Sequence, residues 1–270
     1  MSFRLLVADL DGTLIGRNSA VSPRSKEAVS RLRQSGIRFS VCTGRMPIAC
    51  AGILRELNLD LLGIFGNGAL VGSPFTAQEI FCLPIDRTVA QDAVRFSRHT
   101  GMSIELYTRE GCFVDARTGA TELHASIQGI EPQVADLLDL VAHDKIIKAS
   151  LVATTSEEKA TTRRFGEEFK GRLALGFAKH PAYPGTDLIN VTHPDVSKGR
   201  ALAVLCRHLG VAREEVVAIG DGANDVPLLE AAGYGIAMGD APPELKAVAR
   251  CATLSVDEDG FAVAVEKLLA

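Results

Sequence analysis

Short apolar runs that end in polar clusters are the feature of this sequence that most restricts its fold. Such runs occupy residues 3–8, 37–42, 61–65 and 216–219. Runs that are this short and mostly apolar predict strands buried on both faces of a parallel sheet. Because helical patterns lie between them, the sequence predicts an α/β fold with a doubly wound, mostly parallel, Rossmann-like sheet.

Helix signals alternate with these predicted strands. Pro23 follows Ser22 at one predicted helix start, and Gly36 supplies the predicted end of that helix. Apolar spacing predicts further helices over residues 47–57, 197–209, 225–232 and 243–249.

Polar side chains follow four of the predicted strands at the point where each strand ends. They are Asp9, Thr43, Asn67 and Asp221. Parallel strands place their carboxyl ends at one edge of the sheet, and ligands of open α/β sheets bind beyond that edge. We therefore expect these side chains to lie together in one site.

The middle of the chain has a different organisation. Helices and strands are predicted there over residues 87–99, 104–107, 112–115, 148–153, 156–169 and 173–178. Pro84 and the proline-containing stretch 181–184 are the predicted hinges. The sequence thus predicts a core formed by residues 1–82 and 186–270, with a smaller α+β domain, residues 83–185, inserted into it.

The first polar cluster reads Asp9-Leu10-Asp11-Gly12-Thr13. One of its two carboxylates could act as a nucleophile or metal ligand while the other protonates a leaving group. Gly12 allows a sharp turn after the strand. The alternative interpretation is a strand end at which an Asp caps a turn and has no chemical role.

The second acidic cluster lies in the Gly-Asp-Gly-Ala-Asn-Asp segment at residues 220–225. Asp221 and Asp225 offer carboxylate oxygens, which are the ligands that Mg²⁺ prefers. Several aspartates that converge on one point would repel one another without a cation. The alternative is a helix N-terminus at which an Asp complements the helix dipole.

Each of the remaining short motifs is, by itself, weak evidence for a functional site. Thr43, which precedes Gly44 and Arg45, could hold a phosphate oxygen, but Thr is common at strand ends. Lys198 at a helix start is unfavourable with the dipole unless an anion shares the site, although a solvated lysine is the alternative. Asn67 between two glycines fits either a left-handed turn or a site residue.

Composition and charge exclude several classes of protein. The net charge of −4 gives no general attraction to nucleic acid or to anionic lipid. No segment approaches the roughly 18 uninterrupted apolar residues of a membrane span, and the N-terminal region lacks the pattern of a signal peptide. The six scattered cysteines predict reduced thiols and a cytoplasmic protein.

Taken together and in order, the motifs resemble the haloacid dehalogenase superfamily, and most closely its Cof-type phosphatase branch. The matching segments are Asp9-Leu10-Asp11-Gly12-Thr13, Thr43-Gly44-Arg45, Lys198-Gly199 and Gly220-Asp221-Gly222-Ala223-Asn224-Asp225. Further matches to the branch are Asn67-Gly68-Ala69, Ala237-Met238-Gly239 and Asp259-Gly260. The long gap between Thr43 and Lys198 resembles the gap in which that branch carries an α/β cap domain.

The resemblance implies a role for each matching residue. Asp9 would attack phosphorus and form an aspartyl-phosphate, and Asp11 would protonate the leaving alcohol and later activate water. The residues implied to bind phosphate or substrate are Leu10, Thr43, Gly44, Arg45, Lys198 and Asn224. The implied Mg²⁺ ligands are Asp9, Asp11 through its backbone carbonyl, Asp221 and Asp225.

The implied activity is Mg²⁺-dependent hydrolysis of a small phosphorylated metabolite, such as a sugar phosphate. The inserted domain would be a cap that selects the substrate, with residues 107–112 and 179–184 as candidate segments. Two alternatives remain: a phosphotransferase or phosphomutase of the same fold, and a non-catalytic protein that binds a phosphometabolite. An acid/base residue such as Asp11 has no use in a mere binder, which favours an enzyme.

Overall fold

The chain forms two compact units in its computed structural model, which describes residues 3–16, 20–59, 61–180 and 183–270. Unit 1 consists of Met1–Gly44, Cys50–Phe81 and Ser197–Ala270. Unit 2 consists of Arg45–Ala49 and Cys82–Val196.

A five-stranded parallel sheet forms the centre of unit 1. Its strands, in chain order, are β1 (Leu5–Ala8), β2 (Arg38–Val41), β12 (Val216–Gly220), β13 (Tyr234–Ala237) and β14 (Cys251–Ala252). Their order across the sheet is β14-β13-β12-β1-β2, so β1 lies between β12 and β2. The carboxyl ends of β1 and β12 are adjacent, because Ala8 pairs with Ile219.

A three-stranded sheet follows β2, and its first two strands pair antiparallel. Its strands are β3 (Gly63–Phe65), β4 (Leu70–Gly72) and β5 (Glu79–Cys82). A parallel bridge between Cys42 and Ile64 places β3 beside the end of β2. The turn Gly66–Gly68 joins β3 to β4 and therefore lies at the same edge as the end of β2.

Helices alternate with the parallel strands of unit 1 along the chain. They are α1 (Pro23–Gln34), α7 (Lys198–Leu209), α8 (Val226–Ala231), α9 (Pro243–Val248), α10 (Gly260–Leu269) and, from Cys50 onward, α2 (Pro47–Glu56). The Ser22 hydroxyl accepts the Ser25 amide at the start of α1, and Gly36 follows its end at a φ of 77°. Ser197 caps α7 in the same way, so Lys198 is the first residue of that helix.

One apolar core of unit 1 lies between its sheet and helices α7 and α8. Leu5 and Val216 on the sheet pack with Leu202 and Leu205 of α7 and with Leu228 of α8. The two helices approach closely, because a Cβ added at Gly199 would lie 2.2 Å from the Pro227 carbonyl oxygen. This contact fixes the start of α7, which carries Lys198.

Unit 2 is an α+β unit built on a six-stranded sheet. Its helices are α3 (Arg87–Thr100), α4 (Gly119–Gln128), α5 (Leu137–His143) and α6 (Ser156–Glu168). Its strands are β6 (Ile104–Tyr107), β7 (Cys112–Val114), β8 (Gln133–Val134), β9 (Lys148–Ala153), β10 (Ala174–His180) and β11 (Tyr183–Thr192), in the order β10-β11-β9-β6-β7-β8. Phe96, Phe165 and Phe169 pack their rings together in its apolar core.

The predicted α/β class with a mostly parallel sheet is confirmed, but the boundaries of the units differ from the predicted ones. β11 runs through residue 185, at which the sequence placed a boundary, and it pairs with β9 as far as Val191 and with β10 as far as Thr192. Residues 181 and 182 of the predicted hinge lie outside the described residues.

Reduced thiols and the lack of a membrane span are also expected from the sequence. Each of the six cysteines, all of which are described, has a free thiol. Within the described ranges, no helix combines the length and the apolar composition that a membrane crossing requires.

The contact between α7 and α8 predicts opposite effects for two helical Gly→Ala substitutions. Gly199→Ala should lower the free energy of unfolding by about 1–3 kcal/mol, since a methyl group would collide with the Pro227 carbonyl. Gly52→Ala in α2 should raise it by about 0.5–1 kcal/mol, since no atom lies within 4 Å of the added carbon. Urea denaturation followed by circular dichroism measures both free energies. Equal changes for the two variants would contradict the close approach of α7 to α8.

Candidate active site

Lys198 joins two carboxylates in the interior of unit 1. Its Nζ donates to Asp9 Oδ1 and to Asp225 Oδ1, at 2.6 Å each. Lys198 is only 1% exposed and Asp225 is fully buried, so the three charges interact with little screening by water. The two carboxylates explain why a lysine is tolerated at the N-terminus of α7, where the helix dipole disfavours a cation.

Asp225 is fixed by the turn that precedes it. Its Oδ2 accepts the backbone N–H groups of Asp221 and Gly222, both at 3.0 Å. A Cβ at Gly220 would lie 2.6 Å from the Asp225 carboxyl group, so the close return of the chain requires glycine there. Because Oδ1 is bonded to Lys198, hydrogen bonds engage both oxygens of Asp225.

Asp221 connects this turn to the loop that follows β1. Its Oδ1 accepts the Thr13 hydroxyl at 2.8 Å. Gly12 has a φ of 86°, and a Cβ there would lie 2.2 Å from Asp221 Oδ2. Only glycine therefore lets the first loop pass this close to Asp221. Thr13 was not among the predicted site residues, although it stands in the first polar cluster.

Asp9, Asp221 and Asp225 converge as the sequence predicts. One carboxylate oxygen from each lies within 4.8 Å of the other two. Asp9 is positioned by β1, since its N–H donates to the Ile219 carbonyl of β12 at 2.9 Å. The expected closeness of Asp9 and Asp221, which come from opposite ends of the chain, is confirmed.

Burial and mutual repulsion perturb these carboxyl groups. Burial raises the pKa of Asp9 well above its ordinary value; Lys198 opposes this shift, while the Asp225 and Asp221 carboxylates add to it. Burial, followed by repulsion from Asp225, raises the pKa of Asp221 to about 6. Burial alone would lower the pKa of Lys198, but Asp9 and Asp225 raise it well above its usual value. The lysine is therefore protonated.

The donor set of this cluster fits a magnesium ion. Three carboxylates face one lysine, so the cluster carries an excess of negative charge when all are ionised. A divalent cation that binds carboxylate oxygens would remove this excess and reverse the shifts that repulsion causes.

A second part of the site surrounds the turn Gly66–Gly68. The Asn67 N–H donates to the Thr43 carbonyl at 3.0 Å, and Asn67 Oδ1 accepts the Asn224 side-chain amide at 3.2 Å. A Cβ on Gly44 would lie 3.1 Å from Asn67 Oδ1. The turn therefore brings the predicted residues Thr43, Gly44 and Asn224 together. Asn67 was weighed as a site residue but left out, and its position between two glycines after a strand was the available signal.

The other predicted site residues differ in their surroundings. Leu10 has a buried side chain, and its carbonyl accepts the N–H groups of Thr13, Leu14 and Ile15. The group of Leu10 that could bind a phosphate is therefore its backbone N–H. Asp11 is exposed. Arg45 lies in unit 2, where its Nη1 donates to the Ala49 carbonyl at 3.5 Å. The roles of these residues stay predictions.

Comparison with known proteins identifies the family. The profile of the haloacid dehalogenase-like hydrolases matches residues 6–265, which is nearly the whole chain. The chain belongs to the haloacid dehalogenase-like hydrolase family. The resemblance drawn from the motifs is thereby confirmed, and the chain is a hydrolase.

Individual relatives agree with this assignment. The chain is 29% identical over 246 residues to the HMP-PP phosphatase of Cronobacter sakazakii, with 90% of this chain and 87% of that protein covered. It is 26% identical to the chloroplastic endoribonuclease YBEY of Arabidopsis thaliana, over 97% of this chain but only 46% of that protein's length. Among solved structures, a haloacid dehalogenase-like hydrolase from Bacteroides thetaiotaomicron has a TM-score of 0.87 at 25% identity, covering 99% of this chain and 100% of that one. The phosphatase relative supports the predicted class of enzyme.

Replacement of the buried lysine should destabilise the fold strongly. Without metal, Lys198→Met should lower the free energy of unfolding at pH 7 by about 3–5 kcal/mol, because two buried carboxylates lose their cation. The loss should shrink at pH 5, because groups with raised pKa values take up protons there and their repulsion disappears. Urea denaturation in EDTA at both pH values measures the effect.

Lys26→Met is the matched control for this substitution. Lys26 pairs with Glu56 at the surface, where both side chains are exposed. Its replacement should change stability by less than about 1 kcal/mol at either pH. Equal losses of stability from the two substitutions would contradict a special role for the contacts of Lys198 with Asp9 and Asp225.

Proposed function

We propose that this hydrolase is a Mg²⁺-dependent phosphatase that hydrolyses a small phosphorylated metabolite through a phosphoryl-Asp9 intermediate. The observation that carries the proposal is the pairing of Asp9 with a buried, protonated Lys198 beside two further aspartates. The family assignment and the phosphatase name of the Cronobacter relative support it. The alternatives of a phosphotransferase or phosphomutase, and of a non-catalytic binder, have no observation of their own in their favour.

The first step would transfer the phosphoryl group to Asp9. One oxygen of Asp9 is held by Lys198, so the other is available for attack on phosphorus. The bond from Asp9 to phosphorus forms while the ester P–O bond breaks, and Asp11 gives its proton to the departing oxygen. The exposed side chain of Asp11 is accessible to the departing alcohol.

The second step would return the enzyme to its starting state. Asp11, now a carboxylate, takes a proton from a water molecule as the water oxygen attacks phosphorus. The bond between phosphorus and Asp9 breaks, which releases orthophosphate and restores the Asp9 carboxylate. Ester and water are thereby converted into alcohol and phosphate, and both aspartates are regenerated.

Charge compensation would come from Lys198 and from Mg²⁺. A phosphate dianion is repelled by the carboxylates, and Lys198 offsets part of this repulsion. Bound Mg²⁺ would neutralise negative charge on the phosphoryl oxygens. We assign the metal to Asp9, Asp221 and the backbone carbonyl of Asp11. Asp225 would contribute through Lys198 or a water molecule, because its own oxygens already accept hydrogen bonds.

The transferred group would be oriented by neutral donors next to the carboxylates. Thr43 is buried, and Asn224 is joined to the same turn through Asn67. With Lys198 and the N–H groups of Leu10 and Gly44, they would supply donors to the phosphoryl oxygens. Arg45 stays in the proposal as a substrate contact implied by the family resemblance alone.

Unit 1 would be the catalytic core and unit 2 the cap that selects the substrate. The candidate segment 107–112 contains the turn between β6 and β7, in which the Thr108 N–H donates to the Gly111 carbonyl. The segment 179–184 is only partly described, since residues 181 and 182 lie outside the described ranges. A phosphorylated metabolite such as a sugar phosphate is the proposed substrate class, and the free thiols support a cytoplasmic location.

Replacement of the proposed nucleophile tests the mechanism. Asp9→Asn should lower turnover of p-nitrophenyl phosphate by at least about 10³-fold, because an amide oxygen cannot form the phosphoryl intermediate. The circular dichroism spectrum should be unchanged. Asp139→Asn, at an exposed position of α5, is the control and should retain full activity. Undiminished turnover by Asp9→Asn would show that the nucleophile is wrongly assigned, and phosphate found on an added sugar would favour the phosphotransferase.

Metal removal and pH provide a second test. EDTA should abolish turnover, and Mg²⁺ should restore it. In the metal-free protein the pKa of Asp221 is about 6, so protons compete with the cation below that pH. The dissociation constant for Mg²⁺, measured by calorimetry, should therefore rise by up to about tenfold for each unit that the pH falls below 6. Equal affinity at pH 5 and pH 7.5 would contradict a role for Asp221 as a ligand.

A further inference from the structure

The turn Gly66–Gly68 contacts three loops that carry predicted site residues. Its central residue, Asn67, has a left-handed backbone with a φ of 59°. The Asn67 N–H bonds the Thr43 carbonyl, and its side-chain oxygen bonds the amide of Asn224, 157 positions away. A Cβ on Gly68 would lie 2.4 Å from the Ser197 carbonyl, so the turn also lies against the residue before Lys198.

A turn alone does not require the amide of Asn67. A left-handed conformation is available to glycine at least as readily as to asparagine, and glycines already flank the position. The hydrogen bond to Asn224 is therefore a contribution of the side chain and not of the backbone. Asn224 is exposed and lies in a single turn of 3₁₀ helix, Ala223–Asp225, so this bond restricts the rotamers of its side chain.

We infer that Asn67 is a positioning residue for the phosphoryl site, and that it acts by holding the amide of Asn224. The inference rests on the proposed function for its catalytic consequence. Phosphoryl transfer depends mainly on positioning and on electrostatic stabilisation. A bond that orients one donor toward the transferred group contributes to the rate of the chemical step more than to substrate binding.

Asn67→Gly tests the inference because it removes the amide and keeps the left-handed backbone. The bond from the residue 67 N–H to Thr43 is also retained. The expected result with p-nitrophenyl phosphate and saturating Mg²⁺ is a fall in kcat of about tenfold or more, while KM changes by less than about threefold. A kcat within twofold of the wild-type value overturns the inference.

Asn58→Gly is the matched control. Asn58 also has a left-handed backbone, with a φ of 50°, and follows α2 at the surface. Its substitution should leave kcat and KM within about twofold of the wild-type values. If both glycine variants lose activity to the same extent, the loss comes from replacing a left-handed asparagine in general and not from the bond to Asn224. The inference then fails.

A double-mutant cycle separates positioning from a general structural effect. If Asn67 acts through Asn224, then Asn67→Gly should change kcat by less than about twofold in an Asn224→Ala background. Multiplicative losses would mean that the two residues act independently, which overturns the inference. The thermal midpoints of the four proteins show whether stability accounts for any difference.

Hydrogen exchange distinguishes failure of this inference from failure of the proposed function. Backbone amides of residues 220–225 should exchange faster in Asn67→Gly than in the wild type, and at the wild-type rate in Asn58→Gly. This measurement needs neither substrate nor turnover. If the wild type hydrolyses no phosphate ester but Asn67→Gly still exchanges faster than the wild type, the phosphatase is refuted and the positioning contact is retained. Exchange that is unchanged in Asn67→Gly overturns the contact's role.

Discussion

The pairing of one buried lysine with two buried aspartates is the interaction on which the rest of the site depends. Lys198 joins Asp9 at the end of β1 to Asp225 at the start of α8, at 2.6 Å to each. Two carboxylates and an ammonium group are costly to bury singly, and they are tolerated here because each satisfies the others. The approach of α7 to α8 at Gly199 holds the lysine in this position.

Glycines make the convergence of the loops possible. Gly12 and Gly220 stand where a side chain would overlap the carboxyl groups of Asp221 and Asp225. Gly68 allows the β3–β4 turn to lie against Ser197. Each is a point at which the backbone passes too close to its neighbour for a Cβ. The parallel register of β1 with β12 sets the approach of Gly12 to Asp221, because it brings the ends of both strands to one edge of the sheet.

The sequence predicts the sheet and the acidic cluster well, because both depend on local patterns. Apolar strands that end in Asp9 and Asp221 need only the geometry of a parallel sheet to meet. The end of the inserted unit is harder to place, since the apolar residues of β11 suit a strand in either sheet. The role of Asn67 could not be assigned, because its partner Asn224 lies 157 positions away and a position between two glycines also fits a simple turn. Contacts between side chains from distant loops are set by tertiary structure, which single-sequence patterns do not encode.

The double attachment of Lys198 has a consequence for the phosphorylated state of the proposed cycle. When Asp9 becomes an acyl phosphate, it loses the anionic charge that attracts the ammonium group. Asp225 keeps its own bond to Nζ and is itself anchored by two backbone N–H groups. In the proposed cycle the cation would therefore stay where it is while its second partner changes from a carboxylate to the newly attached phosphoryl oxygens. Asp225 would thus be a fixed anchor that lets one ammonium group serve both halves of the reaction.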